Sequence, residues 1–326
     1  MKAFVTGATG FIGYHLVKKL LSMNWEVVCL SRKNSNNNTE FQKEVSWIIG
    51  DLFDKKALAE GCSNADIIFH LAGQIKAINK KELFETNANG TKNLIEAILK
   101  SNKNTHLIFL SSLSASGPTN KNKVNTESDK NKPISNYGKS KLLAEDIILK
   151  NRDNLYSTII RPGIVYGPKD RETLLFFKLA KFGINLHLGI NEQHLSMIFV
   201  EDLIQLIIKT TTIKTNSGEI FFASDNDTGY SWNKIMRTIA NIMNKKIVTI
   251  IIPKFVIKTI IYISVFLANI FHYSTILNLD KYEELKYPNW VCSSQKAKKI
   301  LKYNPEFSLK NGLEKTYKWY KENDWI

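Results

Sequence analysis

Cysteine is scarce. Cys29, Cys62 and Cys292 lie far apart, with no CxxC pair and an odd count. That excludes a disulfide framework and a structural zinc site, leaves no metal ligand set, and fits a reducing compartment. Arginine is scarce for so basic a chain. Lys and Arg total 45 against 30 Asp and Glu, a formal charge of +15, yet Arg appears only at 32, 152, 161, 171 and 237. Base and phosphate forks favour Arg, whose planar donors engage two acceptors at once. The lysines spread along the whole chain among frequent Asn and Ile, as compositional drift in an AT-rich genome would produce, so no nucleic-acid partner is expected. Attraction to anionic membrane surfaces stays open. A secretory leader is also lacking. Met1 runs straight into a β-prone stretch without a basic region or cleavage site, which predicts a cytoplasmic protein. Hydrophobic residues at 44% and charged residues at 23% are globular proportions. The 326 residues allow one large core or two packed domains.

Residues 2–6 (KAFVT) are β-prone, and Thr6-Gly7-Ala8-Thr9-Gly10-Phe11-Ile12-Gly13 follows. Leu16, Val17, Leu20 and Leu21 then recur at helical spacing. A strand, a glycine turn and a helix in this order form a dinucleotide cradle. Gly7 permits the tight turn, Gly10 lets backbone N–H groups approach a pyrophosphate, and Gly13 lets helix and strand pack closely. The helix N-terminus adds partial positive charge for the phosphates. Gly7, Thr9, Gly10, Phe11, Ile12 and Gly13 are the candidate contacts.

The next strand, 26–30, ends in Ser31-Arg32-Lys33. An acid at this place bonds a ribose 2′-hydroxyl. Ser31 stands there instead, and an adjacent Arg accommodates a 2′-phosphate, so NADP is favoured and NAD stays open. Arg32 and Lys33 also suit the solvated start of the polar run 34–40. Further strands are expected at 45–50, 66–71 and 106–110, with a helix over 86–100 that presents Leu94, Ile95 and Ile98 on one face. Strands alternating with helices imply a parallel sheet covered on both sides.

The strand 106–110 runs into Ser111-Ser112-Leu113-Ser114-Ala115-Ser116-Gly117-Pro118, and Tyr137-Gly138-Lys139-Ser140-Lys141 opens a later helix. Tyr137 and Lys141, four residues apart, share one helix face. Phenol is a poor base, with a pKa of about 10 in water. A nearby ammonium lowers it, so that Tyr137 exchanges a proton with an alcohol or ketone while hydride moves to or from a nicotinamide. A serine at the strand end bonds the same substrate oxygen.

These segments, with GDL (50–52), HLAG (70–73), Asn87, Gly90-Thr91 and RPGIVYGP (161–168), resemble the extended short-chain dehydrogenase/reductases of the NAD-dependent epimerase/dehydratase type, in order and in spacing. The resemblance implies that Tyr137 is the acid/base, that Lys141 binds ribose and tunes Tyr137, and that Ser112 orients substrate, with Ser111 as the neighbouring alternative. It also implies that Asp51 and Leu52 border the adenine. Leu71, Ala72 and Gly73 would pass near the pyrophosphate or ribose, and Pro162 and Gly163 would lie beside the nicotinamide. Asn87 has two readings, a tie between strand ends or a cofactor contact.

Three further features bear on the reaction. Sugar 4,6-dehydratases of this type carry an Asp-Glu pair just after the serine, for the acid and base that elimination needs. Here Leu113-Ser114 stands there, against a dehydratase. Nucleotide-sugar enzymes place an Arg five residues before the Val of a VDD-like segment to pair with the diphosphate. Counting back from Val200 reaches Leu195, with His194 beside it. The variant SSLSASGP resembles the 3β-hydroxysteroid dehydrogenase and dihydroflavonol-reductase branches, which act on apolar cyclic or lipid-like alcohols and ketones. The expected function is an NAD(P)-dependent oxidoreductase interconverting a secondary alcohol and a ketone on such a substrate. A nucleotide-sugar epimerase with retained NAD and a non-catalytic nucleotide sensor or assembly factor are the alternatives.

Residues 259–279 contain no Asp, Glu, Lys or Arg. Lys258, Tyr262, Asn269 and Tyr273 fall in one imperfect stripe, and most Ile, Val and Leu fill the remaining arc. Three placements are compatible: a core or substrate-lid helix, a helix in a membrane interface through 255–279, and a true span. The aromatic tail, Trp290, Trp319, Tyr320 and Trp325, is assigned to packing. The fold is therefore expected to be α/β, a Rossmann-type doubly wound parallel sheet (1–165 and 196–225) with a smaller substrate domain (166–195 and 226–326). The resemblance implies a homodimer through the helices at 86–100 and 137–151.

Overall fold

The computed structural model describes residues 1–33, 40–77, 79–101, 104–120, 123–188, 192–271 and 279–326. Most of the polar run 34–40, and Tyr273 of the expected stripe, lie outside them. The first elements are β1 (Lys2–Thr6), α1 (Phe11–Ser22), β2 (Glu26–Ser31), β3 (Ser46–Ile49), α2 (Lys55–Ser63) and β4 (Ile67–His70). Next come α3 (Lys80–Phe84), a wide π-type turn (Glu85–Asn89), α4 (Gly90–Lys100), β5 (His106–Leu110), α5 (Asn136–Lys150) and β6 (Ser157–Pro162). Then follow β7 (Ile164–Tyr166), α6 (Leu174–Lys181), β8 (Ile184–Leu188), β9 (His194–Leu195), β10 (Met197–Phe199), α7 (Val200–Thr212) and β11 (Glu219–Ala223). The chain continues with β12 (Tyr230–Ser231), α8 (Trp232–Ile242), β13 (Val248–Ile252), α9 (Lys254–Ile270) and α10 (Leu279–Leu285). It ends with β14 (Asn289–Trp290), α11 (Gln295–Leu301) and α12 (Leu309–Glu322).

Seven strands form one sheet in the order β11-β6-β5-β4-β1-β2-β3, with β1 to β6 paired in parallel. The order runs outward from β1 through β2 and β3, and the other way through β4, β5 and β6. The reversal between β1 and β4 is the switch point of a doubly wound sheet, where the carboxyl ends of the strands leave a crevice for a ligand. Strand residues alternate between the two faces. Phe4, Ile68 and Phe109 pack with Leu58, Leu94, Ile98 and Ile148 from α2, α4 and α5. Leu16, Val17 and Leu20 are buried on α1.

The chain divides into two compact units of similar size. The first comprises 1–115, 136–161 and 204–221, and the second 116–135, 162–203 and 222–326. This division differs from the expected one mainly at 116–135, which follows β5 in sequence but belongs with the second unit. The reason is backbone pairing: Thr119 N–H donates to Asn289 (2.9 Å), Asn125 N–H to Val291 (2.9 Å) and Ser293 N–H to Asn125 (2.9 Å).

The second unit has its own core, in which Tyr166, Phe177, Trp232, Ile235, Leu313 and Tyr320 pack together. Its C-terminal helix docks by aromatic packing. Tyr320 stacks on Trp325 at 5.7 Å, its hydroxyl donates to the Asp170 carbonyl at 2.5 Å, and Trp319 meets Trp325 at 4.9 Å. Trp290 stands apart on β14, its indole N–H on the Glu284 carbonyl.

The apolar segment departs from the expectation of a core helix. Of the described side chains on α9, Ile261 alone is fully buried, while Phe255, Ile260, Tyr262, Ile263, Phe266 and Ile270 are exposed. A span is not supported either, since no described helix is long and apolar enough to cross a membrane.

Candidate active site

Parallel register brings the exits of β1, β2, β3 and β4 to one edge of the first unit, since Thr6 pairs with Leu30 and His70, and Ser31 with Ile49. At the switch point Gly7 and Gly13 have no room for side chains. Gly7 has φ +78°, and a Cβ on it would sit 2.6 Å from the Ala72 nitrogen. A Cβ on Gly13 would sit 2.1 Å from the Gly7 carbonyl. Gly10, at the N-cap of α1, is exposed like Thr9 and makes no side-chain capping bond; Phe11 and Ile12 are half-buried. The first turn of α1 thus has no side-chain cap on its N–H groups, an arrangement that fits a dinucleotide pyrophosphate.

Ser31 is buried at the end of β2, and Arg32 and Lys33 beyond it are exposed. Asp51 is exposed after β3, with its carboxylate accepting from the N–H groups of Phe53 (2.8 Å) and Asp54 (3.2 Å). Leu52 is buried under Gly90.

The β4 exit is built around His70. Thr91 Oγ donates to the Asn87 carbonyl at 2.6 Å, so it accepts from His70 Nε2–H at 2.8 Å. Nδ1 is left to accept from the Thr6 hydroxyl at 2.7 Å, and the Ala72 N–H donates to that same hydroxyl at 3.3 Å. Burial, with the Lys141 charge adding, pushes His70 down to about 3, so the ring stays neutral and holds the Leu71-Ala72-Gly73 segment in place. Asn87, in the π-type turn, donates to the Gln74 carbonyl and to Ser140 Oγ, both at 2.9 Å, and accepts from the Gln74 N–H at 2.7 Å. Its side chain is thus committed to tying the β4 exit to α5.

Lys141 is buried. Its ammonium donates to the Leu110 carbonyl at 2.8 Å and lies 4.7 Å from the Phe109 ring centre. Burial lowers it to about 8, with the Glu145 charge opposing. A Cβ on Gly73 would sit 3.0 Å from Lys141 Nζ and 3.1 Å from Asn87 Oδ1, so α5, the π-type turn and the β4 exit converge there. Tyr137 lies half-buried one turn earlier on α5, and its carbonyl accepts from Ser140 Oγ at 2.8 Å.

The two serines after β5 differ. Ser111 is buried, with its hydroxyl donating to the Glu145 carboxylate. Ser112 is half-buried, and its Oγ accepts from the Ser114 N–H at 3.1 Å. Glu145 is held in turn by Arg161 through Nε–Oε1 at 2.9 Å and a second bond at 2.5 Å. Neither His70 nor Glu145 has a role in the sequence reading. The signal for Glu145 is its place four residues after Lys141 and eight after Tyr137, on the same helix face. Pro162 and Gly163 belong to the second unit, where the Gly163 N–H donates to the Ala223 carbonyl at 3.0 Å and the Ser196 carbonyl fills the place of a Cβ.

A sheet that reverses its order beside a glycine-only turn, with a lysine seated behind the same edge, is the ground plan of a dinucleotide-dependent enzyme. The chain belongs to the NAD dependent epimerase/dehydratase family, whose model matches residues 3–221. It is similar along nearly its whole length to a ceramide reductase of Caulobacter vibrioides, at 29% identity over 99% of this chain and 95% of that one. It is 26% identical to a decarboxylating sterol-4-alpha-carboxylate 3-dehydrogenase of Candida albicans, over 98% of this chain and 97% of the relative. Among solved structures, UDP-glucose 4-epimerase of Thermotoga maritima has the same fold, with a TM-score of 0.80 at 21% identity over 99% of each chain.

Proposed function

We propose that the protein is an NADP-preferring oxidoreductase that interconverts a secondary alcohol and a ketone on an apolar or lipid-like substrate. The observation that carries this reading is the seat of Lys141, a buried ammonium held on the Leu110 carbonyl. It lies one turn along α5 from Tyr137, behind the strand end that leads into Ser112. A nicotinamide dinucleotide, when bound, supplies the hydride acceptor or donor. The Tyr137 hydroxyl gives a proton to the substrate oxygen, or takes one from it, and the Lys141 charge favours the phenolate. Ser112 donates to the same oxygen and sets its orientation. Glu145 and Arg161 hold α5 on the sheet so that these groups keep their spacing.

Ser31 in place of an acid, with Arg32 and Lys33 exposed beside it, suits a 2′-phosphate. Leu195 on β9, where nucleotide-sugar enzymes carry an Arg, and Leu113-Ser114 after the serine support a redox reaction on an apolar molecule. The ceramide and sterol relatives point the same way. The test is Tyr137→Phe, assayed on sterol-like and long-chain ketones and alcohols. The expected result is a loss of at least about 100-fold in turnover with NADPH binding retained. Normal turnover by the variant overturns the mechanism. A stoichiometric NAD that survives purification of the wild type supports the epimerase instead.

A further inference from the structure

Helix α9 presents an apolar surface that the catalytic reading does not use. At about 100° per residue, Phe255, Ile260, Tyr262, Ile263, Phe266 and Ile270 fall within an arc of about 160°. All six are exposed, Phe255 at 72% and Phe266 at 64%. The opposite arc, Ile257, Ile261, Ser264 and Val265, is buried or half-buried. The strand that leads into the helix is apolar and open as well, since Val248, Ile250 and Ile251 of β13 are exposed. So is Phe182, at 76%, whose neighbour Gly183 accepts the Val248 N–H at 2.8 Å.

The sequence that carries β13 and α9 is charged with one sign. From 228 to 279 the chain contains no Asp or Glu and six cations: Lys234, Arg237, Lys245, Lys246, Lys254 and Lys258. Lys245 and Lys246 are exposed just before β13. Lys258 is exposed at the edge of the apolar arc, with its ammonium 5.9 Å from the Tyr262 ring centre. The neighbouring α10 adds Asp280, Glu283 and Glu284, but Glu284 is paired with Lys281 at 3.3 Å and Glu283 with Lys286 at 2.5 Å.

A protein partner asks for about one hydrogen bond per 100–200 Å² of interface. Among its described side chains this arc offers Thr259 and the Tyr262 hydroxyl. A lipid surface asks for apolar side chains below and cations at the headgroups. The helix has 17 residues, a length of about 25 Å, which is short for a crossing and suited to lying flat.

We propose that α9, with β13, lies in the plane of an anionic lipid bilayer, its Phe and Ile arc in the acyl boundary and Lys245, Lys246 and Lys258 on the lipid phosphates. This does not depend on the catalytic reading, and the tests read binding rather than turnover.

The full-length protein is sedimented with phosphatidylcholine vesicles, with and without about 30% phosphatidylglycerol. It is expected to pellet with the anionic vesicles and to be released as salt rises. Phe255→Glu with Phe266→Glu is expected to weaken that binding at least about tenfold, with an unchanged circular dichroism spectrum. As a second readout, Phe266→Cys carries an environment-sensitive fluorophore. The native thiols are buried and pushed up to about 12, so they do not compete for the label. Its emission is expected to shift to the blue with anionic vesicles, whereas the same label at Lys310→Cys does not shift. The proposal is overturned if the wild type stays in the supernatant with anionic vesicles. It is also overturned if the double variant binds as the wild type does, or if the substitutions merely split a dimer while neither protein binds vesicles.

Discussion

Glu145 and Arg161 meet through two bonds, 2.9 and 2.5 Å long, with 0% and 1% of their side chains exposed. Ser111 donates to the same carboxylate, so one buried charge pair joins α5, β6 and the exit of β5. Breaking such a pair on one side leaves an unpaired buried charge, at a cost of about 3–5 kcal/mol. Arg161→Met is expected to lose that much stability in urea unfolding. Adding Glu145→Leu to it is expected to recover more than half of the loss, because the remaining charge is gone. Turnover stays low in both, since α5 carries Tyr137 and Lys141. A loss below about 1 kcal/mol for Arg161→Met would mean that the pair is not buried as described.

Lys141 is seated at a cost to stability. Burial moves its pKa from 10.5 to about 8, so the folded protein holds this proton less tightly than the unfolded chain does. Below pH 8 both states are protonated and the whole cost is present. Between about 8 and 10.5 the folded state releases the proton first, and stability rises with pH. Lys141→Met is therefore expected to be about 1–3 kcal/mol more stable than the wild type at neutral pH, and inactive. Its advantage should shrink steadily up to about pH 10. Unfolding midpoints at three pH values decide this, and an advantage that does not vary with pH contradicts it.

His70 acts in the opposite pH range. Its folded pKa is about 3 against 6.5, so the unfolded chain takes up a proton below pH 6.5 that the folded ring refuses. Stability is full above 6.5 and falls as pH drops toward 3, by up to about 1.4 kcal/mol per unit. His106, lowered to about 4 by burial, adds the same sign. Asp225, raised to about 7 by burial, opposes both, because its folded carboxyl keeps a proton that the unfolded one releases. The comparison of wild type with His70→Asn removes the shared terms. The variant is expected to show a shallower loss of stability between pH 6 and 4. Equal slopes would mean that the ring is not held neutral between Thr6 and Thr91.

Much of this was legible in the residues, for identifiable reasons. The glycines at 7 and 13 mark a turn in which a Cβ would overlap backbone, so their spacing carries geometry directly. Leu94, Ile95 and Ile98 recur at helical period and are buried together on α4. For Glu145 only its helix face was legible, because a carboxylate on a helix reads as solvated until its cation, 16 residues away on β6, is placed beside it. The expected helix over 86–100 conceals the turn at Glu85–Asn89, since the apolar spacing that marks the helix, Leu94, Ile95 and Ile98, lies beyond the turn in which Asn87 is buried. Residues 116–135 depend on pairing with 289–293, a long-range contact that no local pattern encodes. For α9 the periodicity was visible but the partner was not: an apolar arc reads alike whether protein or lipid covers it.

The proposed preference for NADP rests on three residues at the end of β2. Ser31 is buried and its hydroxyl bonds the Arg32 carbonyl at 3.3 Å, while Arg32 and Lys33 are exposed. A ribose 2′-hydroxyl asks for an acceptor there, and a 2′-phosphate asks for cations. A guanidinium engages a phosphate with two parallel bonds, whereas it gains little from a lone hydroxyl. Arg32→Ala is accordingly expected to weaken NADPH binding by about 10- to 100-fold and NADH binding by less than about threefold. The NADPH loss should diminish as salt rises, because an exposed charge pair is screened. Ser31→Asp is expected to shift preference toward NADH by restoring an acceptor and repelling the phosphate. Fluorescence titration of both cofactors against the three proteins measures this directly. Equal losses for NADPH and NADH in Arg32→Ala would assign Arg32 to the solvated start of the following polar run and leave the enzyme without a preference for NADP.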